Sequence, residues 1–207
     1  MEKRLLYYAG YGAGIFYLPG DFIGDTITPE YNYITNAVSE LIQSGAEDRI
    51  FLSSFLFLHA VMIILFAIGI IIQHPYKQSK SVFMGGILLL VIGINYVMSS
   101  SIFPMDPIGT EPTFPGVMHL ILLGASVVST FILMPLLAVG LKRSYNWKYF
   151  STFTFLCLTV IIITGITTPV VLVNGIEVMG LTERIVAYTF YIWMFGLAYL
   201  LIKEKSA

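Results

Sequence analysis

Glu40, Asp106, His119, Glu183 and Arg184 are ionisable residues from separated parts of a chain that is otherwise poor in charge. The densest part is the stretch 103–119, FPMDPIGTEPTFPGVMH, which packs Asp106, Glu111, four prolines and His119 between two apolar runs. Histidine changes charge near neutral pH, so His119 can act as a general acid, a general base or a ligand. Asp106, stiffened by Pro104 and Pro107, can orient one ring nitrogen while the other works. The same two residues can also do no more than cap a helix and tie down the loop. Glu40 is the expected third member of the catalytic set.

Arg184 can pair with Glu40 or Asp106, or grip a lipid phosphate through its planar fork. Glu183 is its chain neighbour, and adjacent helix residues do not face each other, so Glu183 need not neutralise it. Glu183, Asn36 and Ser39 join Arg184 as expected substrate-binding residues. Ser39 could serve as a nucleophile with His119 as its base, although a serine before an acidic residue reads first as a helix-surface or capping residue. Glu40, Asp106 and His119 together would make a carboxylate-rich, one-histidine site that lacks the paired-histidine spacing of strong metal motifs. Neither a metal nor a cofactor is expected. His59 falls near the middle of an apolar run and reads as a packed or hydrogen-bonded helix residue, and His74, beside Pro75, reads as a solvated turn residue.

These residues must be positioned by elements built for a bilayer. The 207 residues are 57% hydrophobic and only 11% charged, far from the roughly 25% charged residues of a soluble domain, and the mean hydropathy is +0.84. The length allows about six spans of roughly 20 residues with short connections. Those spans are read at 5–24, 50–72, 82–103, 116–141, 149–173 and 182–202. The fold class is thus all-α, a polytopic membrane bundle with six transmembrane helices in one domain over residues 1–207. The first run lacks a small-x-small cleavage site before Pro19 and is expected to be a retained helix; its Gly10 and Gly14, and again Gly20 and Gly24, stand at small-xxx-small spacing. Pro135 and Pro169 fall inside the fourth and fifth spans, where a kink is expected.

The segment 28–45 is too polar to span. Its Tyr33, Ala37, Leu41 row and Ile34, Val38 row recur at helical spacing, which predicts a short amphipathic helix on the outer face. Nine of the eleven lysines and arginines fall at one end of the helices, and Arg49 and Arg184 fall at the other. By the positive-inside rule both termini are cytoplasmic, and 28–45, 103–119 and 174–183 face outward in the cell membrane. The net charge of -1 gives no reason to invoke nucleic acid. The single Cys157 excludes an internal disulfide and redox-pair chemistry. No phosphate-binding loop, dinucleotide turn or zincin motif is present.

Three motifs, Tyr33-x-x-Asn36-Ala37-Val38-Ser39-Glu40-Leu41, Phe103-Pro104-x-Asp106 followed by His119, and Gly180-Leu181-x-Glu183-Arg184 with Trp193, resemble the domain of unknown function 998 family, a group of bacterial and archaeal multi-helix membrane proteins. One departure is visible: where that family tends to show Ser, an acidic residue, Leu and then Gly, this chain has Ile42 and Gln43 and reaches glycine only at Gly45. The resemblance implies a multi-helix membrane fold and a site among these motifs, and implies no reaction. Two functions remain open from the residues. One is a hydrolase or transferase acting on a lipid or lipid-linked substrate at the outer face by His/Asp acid-base chemistry. The other is a non-catalytic protein that binds a lipid or small ligand, or has a structural role, with membrane lipids as its surroundings. The oligomeric state is not readable.

Overall fold

The computed structural model describes residues 2–142 and 147–204. These form six long helices, α1 (Glu2–Ile27), α2 (Arg49–Gln73), α3 (Lys80–Ser101), α4 (Phe114–Gly140), α5 (Trp147–Val173) and α6 (Met179–Glu204), with a short 3-10 turn at Val38–Ile42. Five of them, α2 to α6, are long and apolar enough to cross a membrane. The first helix is as long as the others, but tyrosines, five glycines, Asp21 and Asp25 dilute its apolar run. Arg143 and Lys205, counted in the charge split, lie outside the described residues, and only the backbone of Lys3 and Arg4 is described.

The helix limits have local causes. Ser79 and Thr113 cap α3 and α4 by accepting the backbone amides of Val82 and Gly116, which satisfies donors that the first turn leaves without a partner. Pro115 stands in that first turn of α4, where its missing N–H costs nothing. Pro75 stops α2 just beyond His74. His74 is buried, with Nε2 3.3 Å from the Tyr7 hydroxyl, so the expected solvated turn residue is a packed one. His59 is buried as expected, its Nδ1 3.1 Å from the Ala13 carbonyl.

The chain turns back after each helix, so the loops after α1, α3 and α5 gather at one end of the bundle. The helix α1 lies along α2 and α6. Its Gly10 and Gly14 allow this, since a Cβ would come within 2.9 Å of Ala198 and 2.5 Å of the Phe195 ring. Phe66, Ile63, Leu89, Leu133, Met134 and Trp193 fill the core. Asn95 crosses from α3 to the Ser126 hydroxyl of α4 at 3.2 Å, and Trp193 pins α6 to Thr154 of α5 at 3.0 Å. Beyond Ile161, α5 has no buried residue among those described. A cleft lies between α4, α5 and α6 there.

The segment 28–45 is not an amphipathic helix. Its helical content is the 3-10 turn, and its remaining residues form turns, bends and irregular backbone. The reason is competition for the backbone. Asn32 accepts the amides of Ile34 and Thr35, and Glu40 accepts the amide of Ala37. The carbonyls of Tyr33 and Asn36 are bound by a side chain from α6. Asn and Glu side chains that bind nearby amides offer the backbone an alternative to the helix. The apolar rows are nevertheless buried, with Val38, Leu41 and Ile42 packed over the end of the bundle.

Candidate functional site

The guanidinium of Arg184 organises the loop end. It is 1% exposed and faces Asp21, which is 0% exposed. Nη2 donates to Asp21 Oδ1 at 2.7 Å and Nε lies 3.1 Å from both carboxylate oxygens. Nη1 donates to the carbonyls of Tyr33 and Asn36 at 2.8 and 3.1 Å, and Nη2 also reaches the Tyr31 hydroxyl at 2.7 Å. The Tyr33 ring stacks 3.8 Å from Cζ. Asp21 takes a further hydrogen bond from Tyr188 at 2.5 Å, and Tyr33 donates to Tyr188 at 2.7 Å. Burial raises the Tyr31 phenol above its ordinary value, with the hydrogen bond from Arg184 opposing the shift.

Arg184 therefore meets neither Glu40 nor Asp106, and its donor directions are all engaged. Gly180 makes the arrangement geometrically possible, because a Cβ there would stand 2.2 Å from the Asn36 carbonyl. Sequence reasoning missed Tyr31, Tyr33 and Tyr188 as partners here, and it read Asp21 either as an interfacial residue in water or as part of a polar cavity, without its pairing to Arg184. A signal existed for Asp21: a carboxylate in a long, mostly apolar helix needs a partner, and Arg184 is one of two cations at that end.

Asp106 has its own partner. The Thr113 hydroxyl and amide donate to it at 2.6 and 2.7 Å, and these bonds, the hydroxyl first, hold its carboxyl below the usual range. It closes the 106–113 loop onto the α4 cap and does not orient His119. That role falls to the Phe103 carbonyl, 2.9 Å from His119 Nδ1. A carbonyl only accepts, so Nδ1 carries the hydrogen and the neutral ring has its lone pair at Nε2. His119 is 2% exposed, and Nε2 is buried with no hydrogen-bond partner among the described residues.

Nearby, Glu40 accepts the Ala37 amide at 2.6 Å and Asn36 Nδ2 at 2.7 Å. Glu183 accepts the Val38 amide at 2.7 Å through Oε2, and its other oxygen has no hydrogen-bond partner among the described residues. The Ser39 hydroxyl donates to the Met105 sulfur at 3.1 Å, not to His119. The Ser44 amide donates to the Met105 carbonyl at 2.9 Å, which joins the two loops.

Between these groups lies a cavity of about 850 Å³. Asn36, Ser39, Glu40, His119, Thr182 and Glu183 line its polar end, and Leu123, Val127, Phe131, Ile161 and Phe190 line an apolar arm. Exposed Leu120 and Gly165 stand on the same wall, so the cleft opens sideways between α4 and α5. From His119 to Phe131 the wall follows α4 for about 18 Å at 1.5 Å per residue. Of the expected site residues, five converge here: His119, Glu40, Glu183, Asn36 and Ser39. Asp106 and Arg184 do not line the cavity. No three His, Cys, Asp or Glu residues are grouped to hold a metal ion among the described residues, and the two oxygens of Asp106 are turned to Thr113.

The chain matches, over residues 11–200, the family described as Protein of unknown function (DUF998). No curated protein and no solved structure matches it. With most of its length covered, the chain belongs to the DUF998 family.

Proposed function

We propose that this DUF998 protein is a six-span protein of the cell membrane that takes a lipid or lipid-linked molecule into its cavity, where His119 acts as a general base in hydrolysis or transfer. The observation that carries this reading is His119 Nε2, a buried basic nitrogen without a partner on the wall of a cavity that is polar at one end and apolar along the other. A buried acceptor left unsatisfied costs roughly 1–3 kcal/mol, and a bound hydroxyl or water would remove that cost. The sideways opening between α4 and α5 suits entry from the bilayer. In the reaction, Nε2 takes the proton of a water or substrate hydroxyl as that oxygen attacks an acyl carbon, and the imidazolium returns it to the departing oxygen. The Phe103 carbonyl fixes the tautomer throughout.

Counting α1 as the sixth span is supported by its length and by the pairing of Asp21 with Arg184, which removes the main obstacle to its burial. Among the described residues, seven lysines and arginines at the opposite end support an outward-facing cavity. A cysteine in place of the exposed Thr110 should react with an impermeant maleimide added from outside the cell, and reaction only after permeabilisation would reverse the orientation.

The functional test uses the purified protein in lipid nanodiscs, incubated with a total lipid extract. Bound and converted lipids are read by mass spectrometry. The expected result is a retained amphiphile and a product that His119→Ala does not form while still retaining the amphiphile. Retention without any product would support the non-catalytic alternative, and an empty cavity would overturn both.

A further inference from the structure

Building on the reading of the cavity as a lipid site, we propose that the head of its ligand is an amine, carried as an ammonium, and not a phosphate. Hydrogen-bond inventory is the first reason. His119 Nε2 offers a lone pair, and Glu183 offers one carboxylate oxygen beyond the one held by the Val38 amide. Both are acceptors. A phosphate head at neutral pH brings oxygens that also accept, whereas an ammonium brings three donors.

The second reason is charge. Glu40, Glu177 and Glu183 line the cavity, and no Lys or Arg does so among the described residues. The nearby cation that could have bound a phosphate, Arg184, is already neutralised by Asp21. An anionic head would enter beside carboxylates with nothing to offset it, while a cation would compensate their desolvation.

Aromatic faces supply a third, independent reason. Tyr17, Tyr96 and Tyr191 line the same cavity around His59. The Tyr17 and Tyr191 rings lie 4.7 Å apart, and Tyr96 lies 5.5 Å from His59. Tyrosine faces attract ammonium groups and not phosphates.

The test is a ranking of three probes with one tail, dodecylamine, dodecyl phosphate and dodecanol, against the full chain in phosphatidylcholine nanodiscs. Binding is read by native mass spectrometry, with empty nanodiscs to subtract partition into the lipid. Dodecylamine is expected to bind at least tenfold more tightly than dodecyl phosphate. Glu183→Gln should lower the amine affinity about tenfold and leave dodecanol unchanged. Should that variant not fold, the ranking on the unaltered chain decides alone. Dodecyl phosphate binding as tightly as the amine would overturn the proposal while sparing the lipid reading, as would dodecanol binding with the amine excluded. Failure of all three probes would overturn the lipid reading itself.

Discussion

Replacing Arg184 by methionine should be among the most destabilising single changes in the chain. The side chain is 1% exposed, its partner Asp21 is 0% exposed, and their closest approach is 2.7 Å. An exposed pair would be worth about 0–1 kcal/mol. Removing one member of a buried pair leaves an uncompensated charge, at about 3–5 kcal/mol. Asp21 would keep only the Tyr188 hydroxyl, and the carbonyls of Tyr33 and Asn36 would lose their guanidinium donor. For a chain of this size each kcal/mol moves Tm by about 2–4 °C, so the variant should melt roughly 6–20 °C lower. Equilibrium unfolding in mixed micelles gives the free energy and a melting scan gives Tm. Asp21→Asn should cost a similar amount, and the double variant Asp21→Asn with Arg184→Met should cost clearly less than the two singles added, because neither charge remains. A loss below about 1 kcal/mol for Arg184→Met, or simple additivity in the double variant, would refute the buried clasp.

Gly180→Ala should cost about 1–3 kcal/mol by overpacking, since its Cβ would meet the Asn36 and Tyr33 carbonyls at 2.2 and 2.7 Å; Gly124→Ala, with nothing within 4 Å, should be neutral or stabilise by up to about 1 kcal/mol in the same unfolding measurement. Asp106 is held below its ordinary 3.8 by Thr113, and a carboxyl lowered in the folded state favours that state above the unfolded pKa and loses the advantage as pH falls through the folded one. Amide exchange in the 103–113 loop, corrected for its intrinsic rate, should therefore be unchanged from pH 7 down to about pH 5 and rise below about pH 4, and Asp106→Asn should show no such step.

The membrane helices were legible because bilayer burial writes long apolar runs that end at proline or charge. The run 50–72 became Arg49–Gln73, and 149–173 became Trp147–Val173. The segment 28–45 was not legible. Periodicity marks which side chains are buried, and Val38, Leu41 and Ile42 are, but it does not tell where backbone carbonyls find donors. Here a guanidinium about 150 residues away supplies them. The Asp106 partner was misread for a related reason. Both Asp106 and His119 flank the α4 cap, and proximity along the chain suggested a pair, yet the Thr113 hydroxyl and amide offer the carboxylate two donors that need no ionised histidine. His119, Glu40 and Glu183 line one cavity, since helix order brings their loops to one end.

Glu183 and Arg184 are neighbours with opposite tasks, and the helix explains the division. Successive residues point about 100° apart at 3.6 per turn, so α6 directs Arg184 inward to Asp21 and Glu183 to the cavity wall. The two side chains then hold the same loop from both sides. Arg184 binds the carbonyls of Tyr33 and Asn36, and Glu183 binds the Val38 amide. Asn36 in turn donates to Glu40. A ligand head drawn to the free oxygen of Glu183 therefore meets a carboxylate whose other oxygen already fixes the loop, so binding need not release the loop. The clasp sets the position of the cavity acids while its positive charge is paired with Asp21. That separation is why a cavity one residue away from an arginine is lined by carboxylates and by no lysine or arginine among the described residues.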